Sequence, residues 1–291
     1  MRWTPGDRGN IDDYRGRSGM GMRAAPLGIG GLVLILLLSW FTGVDFLSLV
    51  GGGGSPAGPG PSASVGTSGA AADASPEEAH LRDLVDNVTE DAQNTWRELL
   101  GGRYEDTRVA LFRDAIDSAC GFAQAATGPF YCPADRRVYI DLGFFDELQR
   151  RFRAPGDFAQ AYVVAHELGH HVQTITGIEG QVRQRQSGDP SQRNALSVRL
   201  ELQADCFAGI WGHYANQPGR QAAGGVELDP NDIDEALNAA AAIGDDRLQR
   251  QSSGRVSPES FTHGSSQQRV EWFRRGFESG DPKTCDTFKG V

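Results

Sequence analysis

Twenty-one consecutive residues, 24–44, carry no charge and include the run Leu32-Val33-Leu34-Ile35-Leu36-Leu37-Leu38, with Trp40 near its end. About 20 apolar residues make a helix long enough to cross the hydrocarbon of a bilayer. A cleaved signal peptide is the other reading, but the run is long for one and no Ala-x-Ala-like site follows within residues 45–50. The sequence therefore predicts a retained single transmembrane helix over 24–44. Residues 1–23 hold five arginines and three aspartates, and Asp45 follows the span. The positive-inside bias then places the N-terminus in the cytoplasm and everything after residue 50 in the periplasm or outside the cell.

Of the formal charge of -10, the first 23 residues contribute +2 and the remaining 268 contribute -12. Neutralising phosphates needs a basic face, so a nucleic-acid partner is not expected. Residues 45–76 read as a linker; from Gly51 onward they are almost entirely Gly, Ala, Ser, Pro and Thr, a composition that cannot offset its ordering entropy. Ser75-Pro76-Glu77-Glu78 then resembles a helix start, with Leu81, Leu84, Val85 and Val88 at helical spacing behind it. The organisation expected is a cytoplasmic head (1–23), an anchor (24–44), a linker (45–76) and one folded domain (77–291).

Within that domain, Val138-Tyr139-Ile140-Asp141-Leu142 reads as a strand. Helices are predicted from Phe158 to Ile175, closed by Gly177; from about Asn194 to Tyr214, ended by Gln217-Pro218-Gly219; from Asp229-Pro230 through an alanine run; and from Ser266 to Phe277. Few strands among many helices indicate an α+β class, mainly helical with a small sheet. Cys120, Cys132, Cys206 and Cys285 all lie beyond the span, where thiols oxidise. Four cysteines allow three pairings. The favoured one joins Cys120 to Cys132 across a short loop and Cys206 to Cys285, pinning the tail to the third predicted helix. No pair has zinc-knuckle spacing.

His166-Glu167-Leu168-Gly169-His170 lies inside a predicted helix. Histidines at i and i+4 project from one face about one turn apart, near enough for both rings to reach one Zn²⁺. Glu167 stands beside that face, where a general base for metal-activated water belongs. With 6 His and 14 Glu in 291 residues, chance would produce H-E-x-x-H roughly 0.006 times. A pattern with a third histidine six residues on fails, because Thr176 stands there and Gln173 replaces its glycine. His171 is rotated about 100° away and reads as a packed or solvated histidine. Glu201-Leu202-Gln203-Ala204-Asp205 instead puts two carboxylates on one face of an otherwise apolar helix, costly to bury unless they meet a cation. Glu201 is accordingly the expected third ligand, and Asp205 the acceptor for the free N–H of a metal-bound histidine. The competing reading is an ordinary solvated face. His80 and His213 have no partner pattern.

His166-Glu167-x-x-His170 followed by Glu201-x-x-x-Asp205 resembles the gluzincin zinc peptidases. The chain is more closely similar to the bacterial membrane-anchored neutral zinc metallopeptidase family. That resemblance rests on the Met1-Arg2-Trp3 start, the single span, the stretch from Cys132-Pro133-Ala134-Asp135 to Phe144-Phe145-Asp146-Glu147-Leu148, and Ser260-Phe261-Thr262-His263-Gly264 before Gln268-Arg269. It covers nearly the whole chain except the tether. It implies a zincin-like domain, a Zn²⁺ cofactor, a peptide or protein substrate and hydrolysis by metal-activated water with Glu167 as base. It also implies a role for His263 in steadying an oxyanion, although a surface-loop or helix-cap histidine fits that position as well. A zinc amidase acting on a non-protein substrate and a non-catalytic anchored scaffold are the rival readings; the intact Glu167 argues against the second.

Overall fold

The computed structural model describes residues 1–6, 9–15, 75–124 and 127–289. The expected anchor, 24–44, and nearly all of the linker lie outside the described residues; no described helix is long and apolar enough to cross a membrane. Along the chain run β1 (Ile11–Asp13), α1 (Pro76–Leu100), β2 (Arg108–Phe112), β3 (Ala115–Ser118), β4 (Gly121–Gln124), β5 (Phe130–Cys132), β6 (Arg137–Asp141), α2 (Gly143–Arg150), α3 (Asp157–Ile175), α4 (Ile178–Gly188), α5 (Arg193–Ala215), α6 (Asp232–Ala242), α7 (Asp245–Ser253) and α8 (Ser266–Ser279). The domain is mainly helical with small sheets, as an α+β class requires.

Local chemistry sets the helix ends. The Ser75 hydroxyl accepts from the Glu78 amide at 3.1 Å, with Pro76 in the first turn, a cap worth about 1 kcal/mol. Ser265 and Gln268 form a reciprocal capping box at the start of α8. Gly177, at φ 79°, follows the end of α3 in the left-handed region that glycine adopts without strain.

One sheet has the order β1-β2-β6-β5, with β1, β2 and β6 parallel and β5 antiparallel to β6; β3 and β4 form a separate antiparallel pair. Helix α3 lies against β5 and β6 and is flanked by α1, α5 and α6. Its residues Phe158, Tyr162, Val164 and Leu168 are buried in the same cluster as Leu84 and Val88 of α1, Trp211 of α5 and Phe273 of α8. Burying side chains of this size stabilises the fold by about 1.5–3 kcal/mol each. Cys120 is bonded to Cys132 and Cys206 to Cys285, the pairing favoured by spacing.

The described part of the head, residues 1–6 and 9–15, is built into the domain, while the expected boundary at residue 23 lies outside the described residues. Residues Met1–Gly16 group with Ala71–Val291 as one compact unit, because β1 supplies an edge of the main sheet. A 3-residue strand paired to a partner nearly 100 positions away has no local signature, and its charges read as a flank of the span.

Candidate metal centre

Helix α3 carries the two histidines and α5 carries the acids, so the cluster depends on how closely these helices approach. Gly169 makes that approach possible: a Cβ on it would sit 3.0 Å from both the Cα and the carbonyl oxygen of Ala204. At the crossing the Glu201 carboxylate reaches both rings, with Oε2 3.2 Å from His166 Nε2 and Oε1 3.5 Å from His170 Nε2. Ligand atoms of His166, His170 and Glu201 all fall within 4.8 Å of one another. They form a group that could hold a metal ion.

Each imidazole is oriented from behind through its other nitrogen. His166 Nδ1–H donates to Asp205 Oδ1 at 2.9 Å. Asp205, fully buried, also accepts from the Tyr162 hydroxyl at 2.5 Å and from Arg269 Nε and Nη2, both at 2.9 Å. Arg269 Nη2 in turn donates to the Tyr162 oxygen at 3.1 Å. His170 Nδ1–H donates to Gln173 Oε1 at 2.9 Å, and the Gln173 amide donates to Leu200 O at 2.7 Å and to Gln203 Oε1 at 3.1 Å. Both Nε2 atoms therefore point toward Glu201, and with Nδ1 engaged from behind they are the nitrogens a cation bound there would use once any proton on them is lost.

Electrostatics match this geometry. Burial alone would depress the His166 pKa, but the Asp205 charge and hydrogen bonds to Asp205 and Glu201 raise it to about 10. Without a metal, then, a proton supplies the positive charge between the carboxylates, and a metal must displace it to bind. Burial works against the Glu201 anion, yet His170 and His166 hold its carboxyl well below the usual carboxylate range. Asp205 is likewise lowered, the Arg269 charge overcoming burial. Glu167, one residue along from His166 and buried, moves the other way: loss of hydration raises its pKa. A carboxylate so placed is a stronger base than one in water.

His263 is half exposed, in the loop before α8. Asp245 Oδ2 accepts the backbone N–H groups of Thr262, His263 and Gly264 at 2.7, 2.7 and 3.1 Å, and its Oδ1 accepts from His263 Nδ1 at 3.3 Å. This hydrogen bond raises the His263 pKa, opposed by burial and reinforced by the Glu201 charge. His171, by contrast, is wholly buried; its Nε2–H donates to Glu105 O at 2.6 Å and its Nδ1 accepts from the Tyr131 hydroxyl. It is the packed histidine of the two readings. His80 and His213 lie elsewhere, beside Asp157 and the Phe277 carbonyl.

Sequence reasoning missed Tyr162, Gln173, Asp245 and Arg269. Gln173 left a trace as the polar residue one turn after His170, and Arg269 as part of the stretch that carries the family resemblance, without a role. Tyr162, Asp245 and Arg269 act across elements, and their spacing does not announce their partners.

The residues present fit zinc: two neutral nitrogens and one carboxylate form a three-ligand set that leaves a position open for chemistry. The family model described as "Putative neutral zinc metallopeptidase" matches residues 1–288. The uncharacterized protein YpfJ of Escherichia coli K12 is 45% identical over 301 residues, covering 99% of both chains. The uncharacterized protein Rv2575 of Mycobacterium tuberculosis H37Rv is 46% identical over 200 residues, 67% of each. No solved structure matches the chain. With the model spanning almost every residue and a relative alike from end to end, the chain belongs to this neutral zinc metallopeptidase family.

Proposed function

We propose that the chain is a zinc-dependent peptidase, exported and held at a membrane by its apolar run, that hydrolyses peptide bonds with Glu167 as general base. The observation that carries this reading is the convergence of His166, His170 and Glu201 within 4.8 Å, with the Glu167 carboxyl on the same helix. The bound zinc would supply Lewis acidity, making a water nucleophilic near neutral pH and polarising the scissile carbonyl.

The remaining work falls to the protein. Glu167 takes a proton from the attacking water at its carboxylate and passes it to the departing amine, and its raised pKa suits both halves of that shuttle. Asp205 and Gln173 keep the Nδ1 protons of His166 and His170 in place, so neither ring can turn its lone pair away. His263, steadied through Nδ1 by Asp245, offers its Nε2–H to the carbonyl oxygen as negative charge develops there.

Glu167→Gln tests this directly, since it keeps size and hydrogen bonding but removes the base. Zinc content and melting temperature should stay near wild type while turnover falls by at least about 10²-fold. Equal turnover of the two proteins would assign the hydrolysis to another site. A zinc-loaded wild-type domain that cuts nothing in an unbiased peptide library would point to a non-peptide amide or to a scaffold.

A further inference from the structure

An arginine-rich flank that serves only to orient a membrane span needs charge and no particular contacts. The N-terminal head of this chain makes many. Beyond the register Ile11–Val109, Asp12–Ala110, Asp13–Leu111, the ladder continues through Val109 N–H to Asn10 O and Tyr14 N–H to Leu111 O, both 2.8 Å. The Arg108 guanidinium donates to the Asp12 carboxylate from Nε and Nη2, the latter at 2.7 Å, and to Ile11 O at 3.1 Å. Asn10 is held by α1: its backbone N–H donates to Asp86 and its side-chain oxygen accepts from Gln93 Nε2. Farther back, Arg2 and Glu227 exchange both backbone hydrogen bonds at 2.8 and 2.9 Å, and the Arg2 guanidinium pairs with Glu227 and Asp229. Trp3 packs its ring against His80. The head thus engages three separated parts of the domain: α1, the sheet and the segment leading into α6.

Adjacent strands lie about 4.8 Å apart, whereas the hydrocarbon of a bilayer is about 30 Å thick. A chain that crossed the membrane once between Arg15 and Ser75 would leave β1 and β2 on opposite faces. A single crossing and the β1–β2 pair cannot coexist in one molecule. Of the two, the pair is fixed by named contacts, while the single crossing rests only on apolar length and flanking charge. The family model, moreover, begins at residue 1, not at the domain.

We infer that the head and the catalytic domain occupy the same side of the membrane, the head serving as a built-in edge strand of the domain. Which side that is rests on the export proposed above, for which the Cys120–Cys132 and Cys206–Cys285 bonds speak.

The described cysteines are all in disulfides, so introduced thiols can be read singly. Thr4→Cys and Ser253→Cys, both at exposed positions, are made in the full chain and treated with a membrane-impermeant maleimide before and after the cytoplasmic membrane is dissolved. The expected result is equal labelling of both in intact cells. Labelling of only one before lysis would overturn the inference. If neither labels until lysis, the shared side stands and the export reading fails, so the two are separable. As a second measurement, Ile11→Cys with Val109→Cys places thiols on facing residues of neighbouring strands, within disulfide reach. After proteolysis within 51–76 and denaturation, which removes the non-covalent contacts, the head should stay on its own domain without reductant and leave it with reductant. A head that leaves in both conditions, or joins a second copy, would overturn the pairing within one molecule.

Discussion

Two carboxylate–cation pairs flank the metal cluster, and they differ in kind. Asp205 and Arg269 lie behind it, with side chains 0% and 3% exposed. Asp245 and His263 lie on its more exposed side, with side chains 12% and 51% exposed. The inner cation is a guanidinium, which does not lose its proton in a protein. The outer one is an imidazole, which titrates near neutrality. The inner pair therefore gives His166 a constant electrostatic background, whereas the charge of the outer pair follows pH. Depth alone does not account for the contrast; the chemical identity of the cation decides which function each position can serve.

The comparison breaks most visibly by removing the inner cation. Arg269→Ala leaves the Asp205 charge buried without its main partner, and a loss of about 3–5 kcal/mol is expected from urea unfolding. Replacing Asp205 and Arg269 together by apolar residues of similar volume should recover much of that stability but not the metal site. Asp205→Asn comes next: zinc affinity, read by competition with a chelator, should weaken about 10–100-fold through lost control of the His166 ring. Gln173→Ala acts on the other histidine through a neutral amide, so the expected loss is about 10-fold, the lower end of that range.

Asp245→Asn should have the smallest effect, and it sharpens the contrast. Asp245 is the chief cause of the raised His263 pKa, against burial and the neighbouring Arg269, with Glu201 adding to the rise. Activity that needs protonated His263 is present below that pKa and lost as pH climbs through it. Without the Asp245 charge the alkaline limb of kcat/KM should move to lower pH, with zinc affinity nearly unchanged. An unmoved limb would remove His263 from the reaction.

Legibility in the sequence followed the range of each interaction. His166 and His170, and likewise Glu201 and Asp205, are one helical turn apart, so the period of the helix alone puts each pair on one face. The helix start at Ser75 was readable because capping is local, whereas the Ser265 capping box emerged only with the structure. Arg269 meets Asp205 across 64 residues and Tyr162 across 107, and nothing in its neighbourhood in the chain announces either partner. The sheet was mostly hidden, since strands of three to five residues are too short for alternation to show. The head was read by its charge, and charge alone does not distinguish a topogenic flank from Arg108 gripping Asp12.

Helices α5 and α8 meet at Gly209 and Gly276 with no side chain between them. A Cβ on Gly276 would lie 1.9 Å from the Cys206 carbonyl oxygen, and one on Gly209 2.0 Å from that of Phe273. Elsewhere in the core, spacing is negotiated among rotamers and a lost or added methylene can be partly absorbed. Here one main chain rests on the other, and main-chain geometry has almost no slack. The distance from Asp205 to Arg269 inherits that tolerance. A single methyl group at either glycine must drive the helices apart by about 1 Å, enough to open hydrogen bonds 2.9 Å long. A variant can therefore keep every side chain of the metal site and still lose its alignment, through a change at a residue that has no side chain.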